Sequence, residues 1–76
     1  MDFTEFIIFC NNYDFGVAAF NTYHVGNGVF CYLMISQKGL AGQFYKIECA
    51  LCDLDNELGK LSKVIERRTS TFLINR

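Results

Sequence analysis

Hydrophobic residues fall into short segments that are separated by clusters of turn-forming residues. These clusters lie at residues 11–14, 26–28, 38–42 and 52–55. The segments before the last cluster are rich in Phe, Tyr, Val and Ile, which are enriched in strands. The pattern predicts strands at residues 3–10, 15–25, 29–36 and 44–51. Because the connections between them are short, we expect a four-stranded antiparallel β-meander.

A helical periodicity begins after the last cluster. Apolar residues recur there every three or four positions and form one stripe: Leu54, Leu58, Leu61, Val64 and Ile65. Asp53 or Asp55 can cap the start of this helix, and the basic residues that follow suit the negative end of its dipole. Residues 69–74 are β-prone and could return as a short final edge strand. The predicted fold class is α+β, with four antiparallel strands and one C-terminal helix packed on one face, in a single domain over residues 1–76.

The segment at residues 44–51 has two interpretations. The leucine stripe can be extended backwards to give one long helix over residues 44–68. The alternative is a strand followed by a helix, because Tyr45, Ile47 and Cys49 alternate with Lys46 and Glu48. We favour the strand, since residues 53–55 look like a boundary.

The two central strands predict a hairpin with a definite register. Asn27-Gly28 is a strong signal for a two-residue loop, because both turn residues must tolerate positive φ. That loop would pair Val25 with Phe30, Tyr23 with Tyr32, Asn21 with Met34 and His24 with Cys31. One face of the hairpin would then carry Tyr23, Val25, Phe30, Tyr32 and Met34, together with Val17 and Ala19. The other face would carry Phe20, Leu33 and Ile35.

Both of these faces are apolar, whereas one helix can cover only one of them. We expect the leucine stripe to pack on the face with Phe20, Leu33 and Ile35. The second face has the composition of an interface centre and is our candidate partner or dimer interface: Tyr23, Val25, Phe30, Tyr32 and Met34. In the alternative interpretation, a terminal strand folds over it to make a small sandwich or barrel.

Composition supports the idea of surplus apolar surface. Hydrophobic residues make up 51% of the 76 residues and aromatic residues 16%, which is rich for a body with so little interior. The net charge of −1 is uneven, with seven acids and two bases in residues 1–59 and five bases and one acid in residues 60–76. Lys60, Lys63, Arg67 and Arg68 are therefore the candidate nucleic-acid contacts.

Candidate catalytic and metal-binding residues are few. Cys49 and Cys52 form a CxxC that could join Cys10 and Cys31 in a zinc site, but a second CxxC is missing, so these are weak candidates. His24 lacks the orienting group that a Cys–His nucleophile pair needs. Residues 53–57 lack the glycine and the terminal glutamate of a calcium loop. We predict no enzyme activity, no cofactor and no metal.

The sequence also bears on location. Asp2 and Glu5 stand where a secretory signal would carry Lys or Arg, and no apolar run approaches the ~20 residues of a membrane span. We expect a cytoplasmic protein with reduced cysteines and no membrane partner.

The function predicted from these features is stoichiometric binding of a protein by a homodimer formed through the aromatic face. Small size and missing catalytic motifs are typical of phage and mobile-element proteins that inhibit host defence, so an anti-CRISPR-like inhibitor is a sub-hypothesis. The alternative is a small nucleic-acid-binding protein that uses the basic part of the helix.

Overall fold

The computed structural model describes residues 1–39 and 44–74, and their side chains as far as residue 69. The elements are α1 (Phe3–Asn12), β1 (Phe15–Val25), β2 (Gly28–Gln37), β3 (Phe44–Ala50), a 3₁₀ turn (Leu51–Asp53) and α2 (Leu54–Ile74). Within these residues the strands form one antiparallel sheet in the order β1-β2-β3. The α+β class is confirmed, but the sheet has three strands rather than the predicted four. The predicted turn at residues 38–42 lies partly outside the described residues.

The N-terminal segment is a helix, so the strand predicted at residues 3–10 is wrong. A capping box starts this helix. The backbone N–H of Glu5 donates to the Asp2 carboxylate at 2.8 Å, and the backbone N–H of Asp2 donates to the Glu5 carboxylate at 3.5 Å. Phe6 and Cys10, one helical turn apart, are both buried. This segment is helical because the capping box satisfies two N–H groups at its start and because its buried side chains pack against the sheet.

The segment at residues 44–51 forms β3 and then a 3₁₀ turn, which confirms the strand-then-helix interpretation. The edge strand predicted at residues 69–74 is wrong, since α2 continues to Ile74. Extending an existing helix adds one backbone hydrogen bond for each residue that is fixed, which outweighs a small strand propensity.

The hairpin closes one step earlier than predicted. Gly26 and Asn27 form the two-residue loop, and Val25 is paired with Gly28. Gly26 has φ of 60°, so this turn has glycine first, as type II′ turns prefer. The predicted pairs are wrong, because Tyr23 lies opposite Phe30 and Asn21 opposite Tyr32. The predicted register differs from the observed one by two residues. Side chains along a strand alternate with a period of two, so residues 19–25 still lie on the faces predicted for them.

An irregularity in β1 changes the face of its first residues. The register shifts between Val17 and Ala19, so Val17 lies opposite Ile35 while Ala19 stays opposite Met34. The prediction that Val17 shares the face of Tyr23 is therefore wrong. The shift has a clear benefit for packing, because it turns Phe15 to the other face, where it is buried.

The core lies between the sheet and the two helices, on the face that carries Leu33 and Ile35. It consists of Phe6, Cys10, Phe15, Cys31, Leu33, Ile35, Ile47, Leu54, Leu58 and Ile65. The predicted leucine stripe is confirmed, with Leu61 and Val64 half-buried beside it. Phe20 remains exposed at the margin, where its ring contacts that of Phe3 with centroids 4.8 Å apart. Both helices thus pack on one side of the sheet.

Candidate protein-interaction surface

The sheet face directed away from the helices is here named the open face. It comprises Ala19, Asn21, Tyr23 and Val25 from β1, Phe30, Tyr32, Met34 and Ser36 from β2, and Phe44, Lys46, Glu48 and Ala50 from β3. Across residues 1–39 and 44–69, every buried side chain lies on a helix or on the opposite face of the sheet. None of the described elements covers the open face, and the interpretation in which the N-terminal segment folds over it is wrong.

Aromatic and aliphatic side chains form the centre of the open face. The rings of Tyr23 and Phe30 are directly opposed and stacked, with centroids 5.9 Å apart. Tyr23 is 36% exposed and Val25 is 59% exposed. Tyr32 and Met34 extend the same strip along the central strand, where they are half-buried. Aromatics and methionine on an accessible sheet are the residue types enriched in the centres of protein interfaces.

The third strand adds a polar margin that the sequence did not place on this face. The hydroxyl of Tyr23 reaches across β2 and donates to Glu48 Oε2 at 3.0 Å. This hydrogen bond raises the pKa of Tyr23, because it stabilises the neutral phenol. The negative charge of Glu48 acts in the same direction, because it disfavours the phenolate. Lys46 lies over the Phe44 ring, with Nζ 5.4 Å from the centroid. The alternation along β3 was visible in the sequence, but only its register against β2 shows which face these residues occupy.

The basic residues proposed as nucleic-acid contacts lie on the other side of the molecule. Lys60, Lys63 and Arg67 follow one another along the exposed side of α2, and Lys60 pairs with Glu57 at 3.4 Å. Arg68 is separate, since it donates to the hydroxyl of Tyr45 and its guanidinium carbon is 5.6 Å from that ring. Because α2 packs on the face opposite the open face, these bases and the aromatic strip do not form one surface.

The helix-dipole argument for these bases is also wrong. The helix does not end near Arg68 but continues to Ile74, so the bases occupy its middle rather than its last turn. Dipole interactions fall off within one turn of a helix end. The helix dipole therefore does not account for the positions of these bases.

The four cysteines occupy different environments. Cys31 and Cys49 are directly paired across β2 and β3, with their Sγ atoms 3.8 Å apart. Cys10 is buried in α1, and Cys52 is exposed on the 3₁₀ turn. Burial raises the pKa of Cys10 and that of Cys49 to about 11, which keeps both as thiols. Metals bind the thiolate, and in the described part of the chain no three His, Cys, Asp or Glu side chains are arranged to hold a metal ion.

The predicted juxtaposition of His24 and Cys31 is wrong. His24 is exposed near the tip of the hairpin and lies opposite Val29. Thr22 is the residue opposite Cys31. The two-residue change of register separates the imidazole from the thiol, so the structure does not assemble this pair.

These features define a class of protein: an antiparallel three-stranded sheet with two helices on one face and an accessible aromatic strip on the other. Comparison of the chain with protein-family models, with curated proteins and with solved structures found no match. Over the described ranges, none of the helices combines the length and apolar character needed to cross a bilayer.

Proposed function

We propose that this chain is a non-enzymatic protein that acts by binding other proteins stoichiometrically, and that it forms a homodimer through the open face. The observation that supports this function is the aromatic and methionine strip on a sheet face that no described element covers. An accessible apolar patch on a small protein favours burial against a partner. The interface centre is the set named from the sequence: Tyr23, Val25, Phe30, Tyr32 and Met34.

The free energy gained by burying the open face is comparable to the cost of association. Burying one fully exposed side chain of this kind stabilises by about 1.5–3 kcal/mol. Five such side chains from each of two copies, about two-thirds covered already, contribute about 5–10 kcal/mol in total. Association costs about 4–15 kcal/mol in lost freedom. The gain is of the same size as the cost, so we expect a reversible dimer that dissociates on dilution.

Charge on the open face is compatible with a second copy. Lys46 and Glu48 are its only charged residues, and they carry opposite signs on neighbouring outward positions of β3. Each open face is therefore neutral overall, so two copies meet without net repulsion. The charges lie to one side of the aromatic strip, as a polar rim does in protein interfaces.

A nucleic-acid-binding function is the weaker candidate. It would use the exposed basic residues of α2, but the aromatic strip on which bases could stack lies on the opposite side of the sheet. Phosphate contacts would make binding of a labelled single-stranded oligonucleotide fall steeply with added salt. Such binding, lost when Arg67→Ala and Arg68→Ala are combined, would favour this candidate over the first.

The proposal extends to cellular context on sequence grounds. We infer a cytoplasmic location, no membrane partner and no cofactor, and we retain the anti-CRISPR-like inhibitor as a specific form of the binding function. Its basis is small size and the lack of catalytic motifs. An inhibitor of this kind would block cleavage by its target effector at equimolar amounts, and Tyr32→Asp would abolish that inhibition.

Sedimentation of the purified chain over a dilution series tests the homodimer. We expect a mass above that of the protomer, and Tyr32→Asp should reduce that mass by half while the circular dichroism spectrum is kept. Tyr32→Phe removes only the hydroxyl and should retain the wild-type mass. Thr4→Asp adds the same charge on the exposed side of α1 and should also retain it.

Two results would contradict the proposal. If the wild-type chain sediments as a protomer at every concentration, the open face is not a dimer interface. A Tyr32→Asp variant that unfolds would show that Tyr32 belongs to the interior of the fold.

A further inference from the structure

The two edges of the sheet differ in how they are protected. β3 forms one edge and carries Lys46 and Glu48, and charged side chains on an edge discourage pairing with another strand. β1 forms the other edge and is 11 residues long. It contains no Lys, Arg, Asp, Glu or Pro, so it lacks the usual residues that block edge pairing.

The distal half of β1 is accessible from both sides. Every residue from 20 to 25 is exposed, including those that point to the helix side of the sheet, such as Phe20 and His24. Phe3 of α1 contacts Phe20, and the residues of β1 beyond Phe20 are exposed on both sides of the sheet. Among the described strands, only β2 lies next to β1. The backbone N–H and C=O groups on the outer side of β1 therefore have no strand partner within the described chain.

We propose that β1 is a second self-association site, at which the β1 strands of two copies pair antiparallel. The regular part of β1 after its irregularity, residues 19–25, is centred on Thr22. A two-fold axis at Thr22 uses this whole segment. It places Thr22 opposite Thr22 of the second copy, Asn21 opposite its Tyr23, Phe20 opposite its His24 and Ala19 opposite its Val25.

A second copy fits this edge better than a charged segment of another protein. The segment contains no Lys, Arg, Asp or Glu, so two copies pair along it without repulsion between such charges. Antiparallel partners opposite one another point to the same side of a sheet. The product is a six-stranded sheet whose two open faces are continuous, with all four helices on the other side.

This inference goes beyond the proposed function and does not depend on it. The edge contact has its two-fold axis perpendicular to the sheet, whereas the open-face dimer has its axis parallel to the sheet. The two contacts use different surfaces and can coexist in one tetramer. A variant that breaks one contact should therefore leave the other intact.

Opposite charges at the centre of the pairing provide a selective test. Thr22→Lys places two ammonium groups opposite each other in the paired edges, and Thr22→Glu places two carboxylates there. Like charges directly opposed destabilise a strand pair, so we expect each variant alone to weaken self-association by about tenfold or more. An equimolar mixture pairs Lys with Glu and should recover the wild-type mass in sedimentation.

The matched controls are Thr4→Lys and Thr4→Glu, which add the same charges at an exposed position of α1 and should keep the wild-type mass. If both contacts exist, Thr22→Lys and Tyr32→Asp each halve the mass, and the double variant is a protomer. If Thr22→Lys halves the mass and Tyr32→Asp leaves it unchanged, the edge contact stands and the open-face dimer fails. Wild-type mass in both Thr22 variants, or a mixture that does not recover, overturns the edge pairing.

Discussion

The hydroxyl of Tyr23 on β1 donates a 3.0 Å hydrogen bond to Glu48 on β3, two strands away across the open face. This bond raises the pKa of Tyr23 above its ordinary value of 10.0, because ionisation would lose the hydrogen bond and place two negative charges together. It links the two edge strands of the sheet across the open face.

Removing the acceptor charge should lower the pKa of Tyr23. We expect Glu48→Gln to move it towards 10.0 in an alkaline titration followed by NMR of the tyrosine rings. Lys46→Gln removes the other charge of the open face and should leave the Tyr23–Glu48 bond intact. An unchanged titration in Glu48→Gln would show that the bond is not formed in solution.

The raised pKa values of two thiols predict that the fold weakens at alkaline pH. The pKa of Cys10 and that of Cys49 rise from 9.0 to about 11 on folding, so the folded state holds these protons more tightly than the unfolded state. Their contribution to stability is fully present below pH 9.0 and is lost as pH rises towards 11. Cys10 alone should give a slope of up to about 1.4 kcal/mol per pH unit in that window.

Urea denaturation across this pH range measures the slope. We expect Cys10→Ala to reduce it, because alanine has no proton to hold. Cys52→Ser alters an exposed thiol and should leave the slope at its wild-type value. A free energy of unfolding that does not fall above pH 9.0 would contradict the burial of Cys10.

The capping box of α1 should contribute measurably to stability. Asp2→Ala removes the acceptor for the Glu5 N–H, and we expect it to lower the free energy of unfolding by about 1 kcal/mol in urea denaturation. Asp2→Asn keeps an acceptor at the same position and should cost less. Thr4→Ala changes the exposed side of the same turn and serves as the control. Equal stability of Asp2→Ala and wild type would mean that the cap is dispensable.

Substitution by alanine should cost different amounts of stability at two leucines near the start of α2. Leu58 is fully buried in the core, so Leu58→Ala should cost about 2–5 kcal/mol through lost burial and a cavity. Leu51 is 40% exposed on the 3₁₀ turn, and Leu51→Ala should cost less than about 1 kcal/mol. Chemical denaturation of the two variants side by side compares the same substitution in two environments. Similar costs would show that α2 does not pack by its leucine stripe.

Local periodicity was enough to predict much of this fold. The alternation of Tyr45 and Ile47 with Lys46 and Glu48 identified β3, and the spacing of the leucines identified α2 and its buried side. The predicted faces of the hairpin survived because the error in register equalled the two-residue period of a strand. The aromatic strip of the candidate site was therefore assigned correctly to one face.

The sequence by itself determined where β1, β2 and β3 form, where the long helix begins, and which side chains of residues 19–25 share a face, since these depend on neighbours along the chain. Only the tertiary structure decided that residues 3–10 are helical, that Gly26 begins the turn and that Phe15 joins the core. Each of these choices depends on contacts with residues distant in sequence. The tertiary structure also decided which face of the sheet stays open, because both helices bury their apolar side chains against the opposite face.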